Sequence, residues 1–215
     1  MNNTQQAIAL FDQRAQDYQD KFMHLNQFQD TFDLFCAQLP KTGAQVLELA
    51  CGPGNITHHL LARRPDLQIL GTDLAPKMLE LARINNPSAT FELLDCRDVG
   101  QFEQKFDGIV CGFGLPYLSK EEALGFIRDA ARTLEPGGVL YISTMEDDYN
   151  KSGLKSSSSG EQLFMHYHQA DYLTKAMEDN GLSILNLLRK DYPEQDGSIT
   201  IDLVIIAGKI DTTSL

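Results

Sequence analysis

A glycine-rich loop after a short apolar run is the first place in this sequence where chemistry could occur. The run VLEL leads into ACGPGN at positions 50–55, and a helical pattern begins near Ile56. Gly52 and Gly54 leave the backbone open to close approach by a ligand because neither carries a side chain. Free N–H groups at the start of the following helix attract electron-rich ligand atoms. The loop therefore predicts a ligand site at the carboxyl end of the first strand.

Two aspartates follow the next two strand-like runs. The run LQILGTD ends at Asp73, where a carboxylate can accept both hydroxyl protons of a ribose. The run after it ends at Asp95, followed by Cys96, where a carboxylate and a neighbouring backbone N–H can bind the edge of an adenine. Either aspartate could instead be an ordinary helix cap or turn acid. Their joint placement after successive parallel strands favours a nucleoside-containing ligand in one crevice.

The elements that position these residues alternate between helical and strand-like patterns. Residues 4–39 carry apolar side chains at three- and four-residue steps, which predicts an N-terminal helical cap. From there to residue 145, strand-like and helical runs alternate, as in parallel strands joined by helices. An Asp-Gly turn at 196–197 separates two further strand-like runs. We therefore predict a doubly wound α/β sheet, mostly parallel, with an antiparallel C-terminal edge hairpin.

The length of 215 residues fits a single domain with four segments. Residues 1–40 are the cap, 41–145 the ligand-binding core, 146–168 a lid or insert, and 169–210 a C-terminal helix and hairpin. The stretch 146–161 is polar and contains four consecutive serines at 156–159. Such a composition predicts a mobile segment. We expect it to form, with the N-terminal helices, a lid that orders on ligand binding.

Charge and composition exclude several classes of partner. The chain has 18 Lys and Arg against 30 Asp and Glu, a net charge of −12, which disfavours nucleic acid and anionic membrane surfaces. No apolar run of about 18 residues is present, and the start lacks a signal-peptide layout, so we expect a cytoplasmic protein. The spacing of the four cysteines indicates neither disulfides nor a metal site. Oligomeric state stays open.

The order of motifs resembles that of the class I S-adenosylmethionine-dependent methyltransferases. The resemblance rests on VLELACGPGNIT, GTDLAPKMLELAR, FELLDCRDV, FDGIVCGFGLPYLS and ALGFIRDAARTLEPGGVLYIST, over about residues 40–145 and more loosely to 209. It implies a Rossmann-like, seven-stranded sheet, S-adenosylmethionine as cofactor and S-adenosylhomocysteine as product. The implied activity is in-line transfer of a methyl group to a small-molecule acceptor.

The resemblance also implies which residues surround the cofactor. The methionine part and the sulfonium would lie against the first strand and its loop, at Glu48, Ala50, Cys51, Gly52, Gly54 and Asn55. The nucleoside would lie against the next two strand ends, with Asp73 on the ribose, Leu74 and Met78 beside the adenine, and Asp95 and Cys96 at its edge. The fourth strand end would lie beneath the methyl group through Cys111, Gly112 and Phe113. Tyr18 would face the cofactor from the cap.

The sequence indicates less about the methyl acceptor than about the cofactor. A hydroxyl or protonated amine acceptor requires a base to remove its proton, and the candidates are Tyr117, His166 and Tyr149. Proximity and orientation supply much of the rate of such a transfer, so no enzyme nucleophile is needed. We therefore interpret the cysteines near the strand ends as packing residues.

Two alternative functions remain open at this level. A nicotinamide-dependent oxidoreductase would use the same fold, but its glycine fingerprint would need a third glycine where Asn55 or Thr57 stands. A catalytically silent cofactor-binding module would have the same pocket as an active enzyme. Ligand titration discriminates among the three.

Overall fold

The computed structural model describes residues 2–24, 26–156, 160–193 and 197–211. The helices in these ranges are α1 (Asn3–Gln13), α2 (Ala15–Phe22), α3 (Gln29–Gln38), α4 (Asn55–Arg63), α5 (Pro76–Asn85), α6 (Lys120–Thr133) and α7 (Ala170–Asp179). The strands are β1 (Gln45–Leu49), β2 (Gln68–Asp73), β3 (Thr90–Leu93), β4 (Phe106–Gly112), β5 (Leu134–Glu146), β6 (Gly153–Ser156), β7 (Gln162–Met165), β8 (Leu182–Pro193) and β9 (Ile199–Lys209).

A seven-stranded sheet forms the centre of the fold, in the order β3-β2-β1-β4-β5-β9-β8. The first five strands in that order run parallel, and β9 runs antiparallel to both of its neighbours. This confirms the predicted doubly wound sheet with an antiparallel edge hairpin, although Asp196 of the predicted turn lies outside the described residues. The strand order reverses at β1, between β2 and β4, and open sheets of this type bind ligands in the crevice at such a point.

Helices cover both faces of the sheet and make two large apolar cores. On one face α6 and α7 bury residues such as Phe126 and Leu173 against β4 and β5. On the other face α3 buries Phe32 and Phe35 beside Tyr141 of β5. Strands covered on both faces are apolar on both, which explains the nearly continuous apolar runs in the sequence.

The N-terminal cap is not the continuous helical segment predicted over residues 4–39. It is broken near Arg14 and again by a 3-10 turn at Asn26–Phe28. The breaks separate helices with different surroundings, because α3 packs into the sheet core whereas α1 and α2 each bury only one alanine, Ala7 and Ala15. Periodicity alone could not distinguish the two environments. Leu25, part of the predicted stripe, lies outside the described residues.

The polar stretch after β5 contains structure that its composition did not indicate. Strands β6 and β7 pair antiparallel, with Leu154 opposite Phe164, and a 3-10 turn spans Tyr149–Lys151. Alternate residues of β6 are partly buried, but Leu154, its one large apolar residue, is exposed, so the sequence carries no apolar pattern of period two there. Ser157, Ser158 and Ser159 of the serine run lie outside the described residues, and the mobility of this segment stays a prediction.

Candidate functional site

A cavity of about 160 Å³ lies at the carboxyl ends of β1 to β4, beneath α1 and α2. Most of the residues predicted to touch the cofactor form its wall. They are Tyr18, Ala50, Gly52, Asp73, Leu74, Met78, Asp95, Cys96, Gly112 and Phe113. The structure therefore brings four strand ends and the N-terminal cap to one site, as the sequence predicted.

The other predicted cofactor residues lie behind this wall. They are Glu48, Cys51, Gly54, Asn55 and Cys111, and all are buried. Burial raises the pKa of the Cys51 thiol well above its usual value. A thiol that stays protonated is a poor nucleophile, which agrees with the interpretation of these cysteines as packing residues.

The glycine loop has left-handed backbone at three positions. Ala50, Gly52 and Gly54 have φ of 53°, 54° and 76°. Only glycine adopts this region without steric cost, so Ala50 is strained by roughly 1–2 kcal/mol. Asn86, which follows α5, donates its side-chain N–H to the carbonyl of Gly54 at 2.9 Å. The loop is therefore held in position by a residue that the sequence analysis did not identify.

Asp73 holds the other side of the loop. Its Oδ2 accepts a hydrogen bond from the N–H of Gly52 at 2.8 Å, and its Oδ1 accepts one from the N–H of Ala75 at 2.9 Å. Burial raises the pKa of the carboxyl, and these N–H donors oppose the rise. A carboxylate has about four acceptor positions, so Asp73 can still accept hydrogen bonds from a ligand in the cavity.

Glu48 is a buried acid with one unsatisfied oxygen. Its Oε2 accepts a hydrogen bond from the hydroxyl of Thr57, whereas Oε1 is buried and has no hydrogen-bond partner. Burial raises the pKa of Glu48 to about 8. Buried polar atoms are nearly always satisfied, so this oxygen, which lies behind the wall of the cavity, is an exception.

Comparison with known proteins agrees with this geometry. Residues 46–138, which run from β1 into β5, match the family described as "Methyltransferase domain". This segment of the chain is similar to a methyltransferase domain. This confirms the resemblance to the class I S-adenosylmethionine-dependent methyltransferases.

Individual relatives of the methyltransferase domain cover part of the chain. Trans-aconitate 2-methyltransferase of Methylobacterium nodulans is 38% identical over 99 residues, which are 46% of this chain and 37% of that protein. Ubiquinone biosynthesis O-methyltransferase of Xanthomonas oryzae pv. oryzae is 30% identical over 118 residues, 53% of this chain and 48% of that protein. The aligned regions span less than half the length of these curated relatives.

A solved structure confirms the fold over more of the chain. Magnesium protoporphyrin IX methyltransferase from Synechocystis PCC 6803, solved with bound S-adenosylmethionine, has a TM-score of 0.61. The match covers 84% of this chain and 79% of that one at 20% identity. The Rossmann-like fold therefore extends beyond the segment that matches the family.

Aromatic side chains cover the cavity of the methyltransferase domain. Phe11 of α1 makes edge contacts with Tyr18 at 5.9 Å and with Tyr117 at 5.3 Å between ring centroids. A Cβ placed on Gly52 would be 3.7 Å from the ring of Tyr18, so this ring lies against the glycine loop. Burial, Asp73 and Glu48 raise the pKa of Tyr18 to about 12. The tyrosine hydroxyls of this cover therefore stay neutral near pH 7.

Several wall residues of the methyltransferase domain were missed at the sequence level. They are Thr4, Ala7, Ile8, Phe11, Ala75, Leu94, Arg97, Gly114 and Leu118. The residues from α1 carry an amphipathic pattern that predicts a buried face, but the pattern does not say what that face covers. Arg97 comes directly after the predicted adenine-edge pair, and this position close to Asp95 could have identified it as a wall residue from the sequence.

Of the three candidate bases, only Tyr117 lines the cavity. Burial strongly raises the pKa of its hydroxyl, so it is not ionised near neutral pH. Tyr149 instead accepts a hydrogen bond from the N–H of Lys120 at 3.1 Å. His166 stacks on Tyr149 with ring centroids 5.7 Å apart, and its backbone N–H donates to the carbonyl of Pro116, beside Tyr117. Tyr149 and His166 do not line the cavity, and their role as bases stays a prediction.

Within the described ranges, no group of three or more His, Cys, Asp or Glu side chains could hold a metal ion. Cys36, Cys51, Cys96 and Cys111 are free thiols. A search of the same ranges for a helix of sufficient length and apolar character to cross a bilayer finds none.

Replacing Glu48 with glutamine is expected to flatten the pH dependence of stability. Glu48 stays neutral in the folded state up to about pH 8, whereas its ordinary pKa is 4.5. The stabilisation that comes from the raised pKa is fully present below about pH 4.5 and is lost as the pH rises to about 8. Over that range the free energy of unfolding falls with a slope of up to about 1.4 kcal/mol per pH unit. Urea unfolding of wild type and Glu48→Gln at several pH values between 4.5 and 8 measures this slope.

Glu80→Gln is the matched control, because Glu80 is an exposed acid on α5. We expect Glu80→Gln to reproduce the wild-type profile. At pH 8 we expect Glu48→Gln to be more stable than Glu80→Gln. Identical profiles for wild type and Glu48→Gln would show that Glu48 is ionised in the folded protein.

Proposed function

We propose that this protein transfers a methyl group from S-adenosylmethionine to a small-molecule acceptor. The observation that carries the proposal is the loop held between Asp73 and Asn86, with the unsatisfied Oε1 of Glu48 behind it. The methyltransferase-domain match and the cofactor bound by the Synechocystis protein support it. The carboxylates of Asp73 and Asp95 in the wall are acceptors that suit the hydroxyl and amino groups of a nucleoside.

The side chains of the cavity suit different parts of this cofactor. Asp73 would accept hydrogen bonds from the ribose hydroxyls, and Leu74 and Met78 would contact the adenine. Asp95 would accept from the adenine amino group. Glu48 would have to turn toward the cavity to accept from the ammonium group of the methionine part, because its Oε1 is buried behind the wall. The nucleoside part of the cofactor then has chemically matched groups in the wall itself.

Methyl transfer then depends mainly on orientation and exclusion of water. The bound cofactor supplies an electrophilic methyl group on a sulfonium. Gly112 and Phe113 at the end of β4 line the part of the cavity where an acceptor would approach, and Phe11, Tyr18 and Tyr117 cover it. Holding two reactants in line contributes much of the rate of a bimolecular reaction. Tyr117, which is neutral, would donate a hydrogen bond to the acceptor rather than remove its proton.

The acceptor is proposed only by chemical class. The two curated relatives are named for trans-aconitate and for ubiquinone biosynthesis, which favours a small molecule here as well. Their similarity lies in the segment that holds the loop and the strand ends. Acceptor identity would be determined by the cap and by the polar segment 146–168, which lie outside the family match.

We also propose that the cap and residues 146–168 act together as a lid. The guanidinium of Arg14, between α1 and α2, donates to Glu161 with an Nε to Oε1 distance of 2.9 Å. Limited proteolysis is expected to cut within 146–168 more slowly when S-adenosylhomocysteine is bound. Equal cleavage rates with and without the ligand would contradict the lid.

Calorimetric titration with S-adenosylmethionine, S-adenosylhomocysteine and NADH in parallel tests the proposed function. We expect micromolar binding of the two sulfur ligands and none of NADH. Binding of NADH alone would favour an oxidoreductase, and binding of no ligand would overturn the cofactor assignment. Formation of S-adenosylhomocysteine with a panel of small-molecule acceptors then separates an active enzyme from a silent binding module.

A further inference from the structure

Arg97 joins three elements at one end of the cavity. Its Nε lies 3.0 Å from both carboxylate oxygens of Asp95, and its Nη2 donates to Oδ2 of the same residue. Its Nη1 donates to Oε1 of Glu122 in the first turn of α6 at 2.8 Å and lies 3.5 Å from the hydroxyl of Thr4 in α1. The arginine therefore connects the end of β3 with a core helix and with the cap.

The carboxylate of Asp95 is almost fully occupied by this one residue. Besides the guanidinium, the backbone N–H of Arg97 donates to Oδ1 at 2.9 Å. The three N–H groups of Arg97 make four contacts with the two oxygens, two on each, because Nε lies between them. Because Asp95 also lines the cavity, Arg97 fixes the plane of a carboxylate that a ligand in the cavity would meet.

We propose that Arg97 is a positioning residue that fixes the plane of the Asp95 carboxylate at the cavity, so that the site selects a purine carrying an exocyclic amino group. This inference rests on the proposed function, since it concerns the adenine end of the cofactor. An arginine fork holds a carboxylate in one plane more firmly than a lysine can. Removing it frees Asp95 to turn toward water.

A second arginine fork in the chain lies away from the cavity. Arg64 binds Asp66 through Nε to Oδ1 and Nη2 to Oδ2, both at 2.8 Å. One residue stands between Arg64 and Asp66, as between Asp95 and Arg97. The side chains of the two arginines are exposed to 26% and 31%, and those of the two aspartates to 27% and 19%. Arg64→Gln is therefore a matched control for the loss of an arginine fork.

The experiment compares two ligands by calorimetry on the full chain. One is S-adenosylhomocysteine, and the other is its analogue with purine in place of adenine, which lacks the amino group. We expect Arg97→Gln to weaken binding of S-adenosylhomocysteine about tenfold, the scale of one charge-assisted hydrogen bond, and to change binding of the analogue less than twofold. Arg97→Lys should recover part of the loss, and Arg64→Gln should leave both affinities unchanged.

A double-mutant cycle shows whether Arg97 acts through Asp95. In the Asp95→Ala background, Arg97→Gln should cause no further loss of S-adenosylhomocysteine affinity. Equal losses for both ligands in Arg97→Gln, or an additive loss in the double variant, would overturn the inference and leave Arg97 a structural residue. Wild type that binds neither ligand would instead contradict the proposed function, so the two failures are distinguishable.

Discussion

Asp73→Ala is expected to weaken binding of S-adenosylhomocysteine by about 3 kcal/mol, or more than a hundredfold. The substitution removes the acceptor proposed for the ribose hydroxyls. It also removes the two hydrogen bonds that Asp73 accepts from Gly52 and Ala75. The glycine loop loses one of its anchors at the same time, so the loss exceeds that of a single ligand contact. Calorimetric titration of the variant measures it.

Asp66→Ala is the control, because it also removes a carboxylate that accepts a hydrogen bond from a backbone N–H. Asp66 accepts a hydrogen bond from the N–H of Gly43 at 2.8 Å and pairs with Arg64, away from the cavity. We expect Asp66→Ala to lower stability and to keep the affinity of wild type. If Asp73→Ala bound the ligand as tightly as wild type, the ribose assignment would be wrong.

Gly54→Ala is expected to lower the free energy of unfolding by about 3 kcal/mol. The left-handed backbone at this position, with φ of 76°, costs roughly 1–2 kcal/mol for a residue with a Cβ. The new Cβ would also lie 2.4 Å from the side-chain nitrogen of Asn86 and 3.3 Å from the Cβ of Ala82. Asn86 must move, which breaks its hydrogen bond to the loop. Denaturant unfolding measures the change.

Gly43→Ala separates the backbone cost from the steric cost. Gly43 has φ of 71°, nearly the same as Gly54, but a Cβ there would meet no atom within 4 Å. We expect Gly43→Ala to show only the backbone part, about 1–2 kcal/mol. Equal losses in the two variants would mean that Asn86 adjusts freely and does not anchor the loop. Gly54→Ala should also weaken cofactor binding, whereas Gly43→Ala should not.

The part of the cavity wall at the strand ends could be predicted from the sequence. Gly52, Asp73 and Asp95 each follow an apolar run, and parallel strands necessarily present such positions at one edge of the sheet. The antiparallel edge hairpin was also predicted, because a turn dipeptide lies between two strand-like runs. These features depend on local patterns, and local patterns can be read without knowledge of tertiary contacts.

The rest of the site depends on contacts between distant segments. Asn86 and Gly54 are far apart in the chain, and nothing near Asn86 in sequence indicates that its side chain holds the loop. Phe11 and Tyr117 meet only because the cap folds over the fourth strand end. Tyr149 and His166 stack on each other rather than line the cavity, and this contact likewise joins two segments that are separate in the sequence.

The order of strands in the sheet has a consequence for how this chain can fold. Strand β9 pairs with β5 from Val139 opposite Gly208 to Glu146 opposite Ile201, and its residues 202–207 are buried. Residues 46–138, which carry the family match, end before this pairing begins. A fragment that stopped before residue 199 would leave β5 as a long, apolar, unpaired edge, the kind of edge that promotes aggregation. Assembly of the sheet therefore waits until β9 has been synthesised, although the ligand-binding wall is encoded before it.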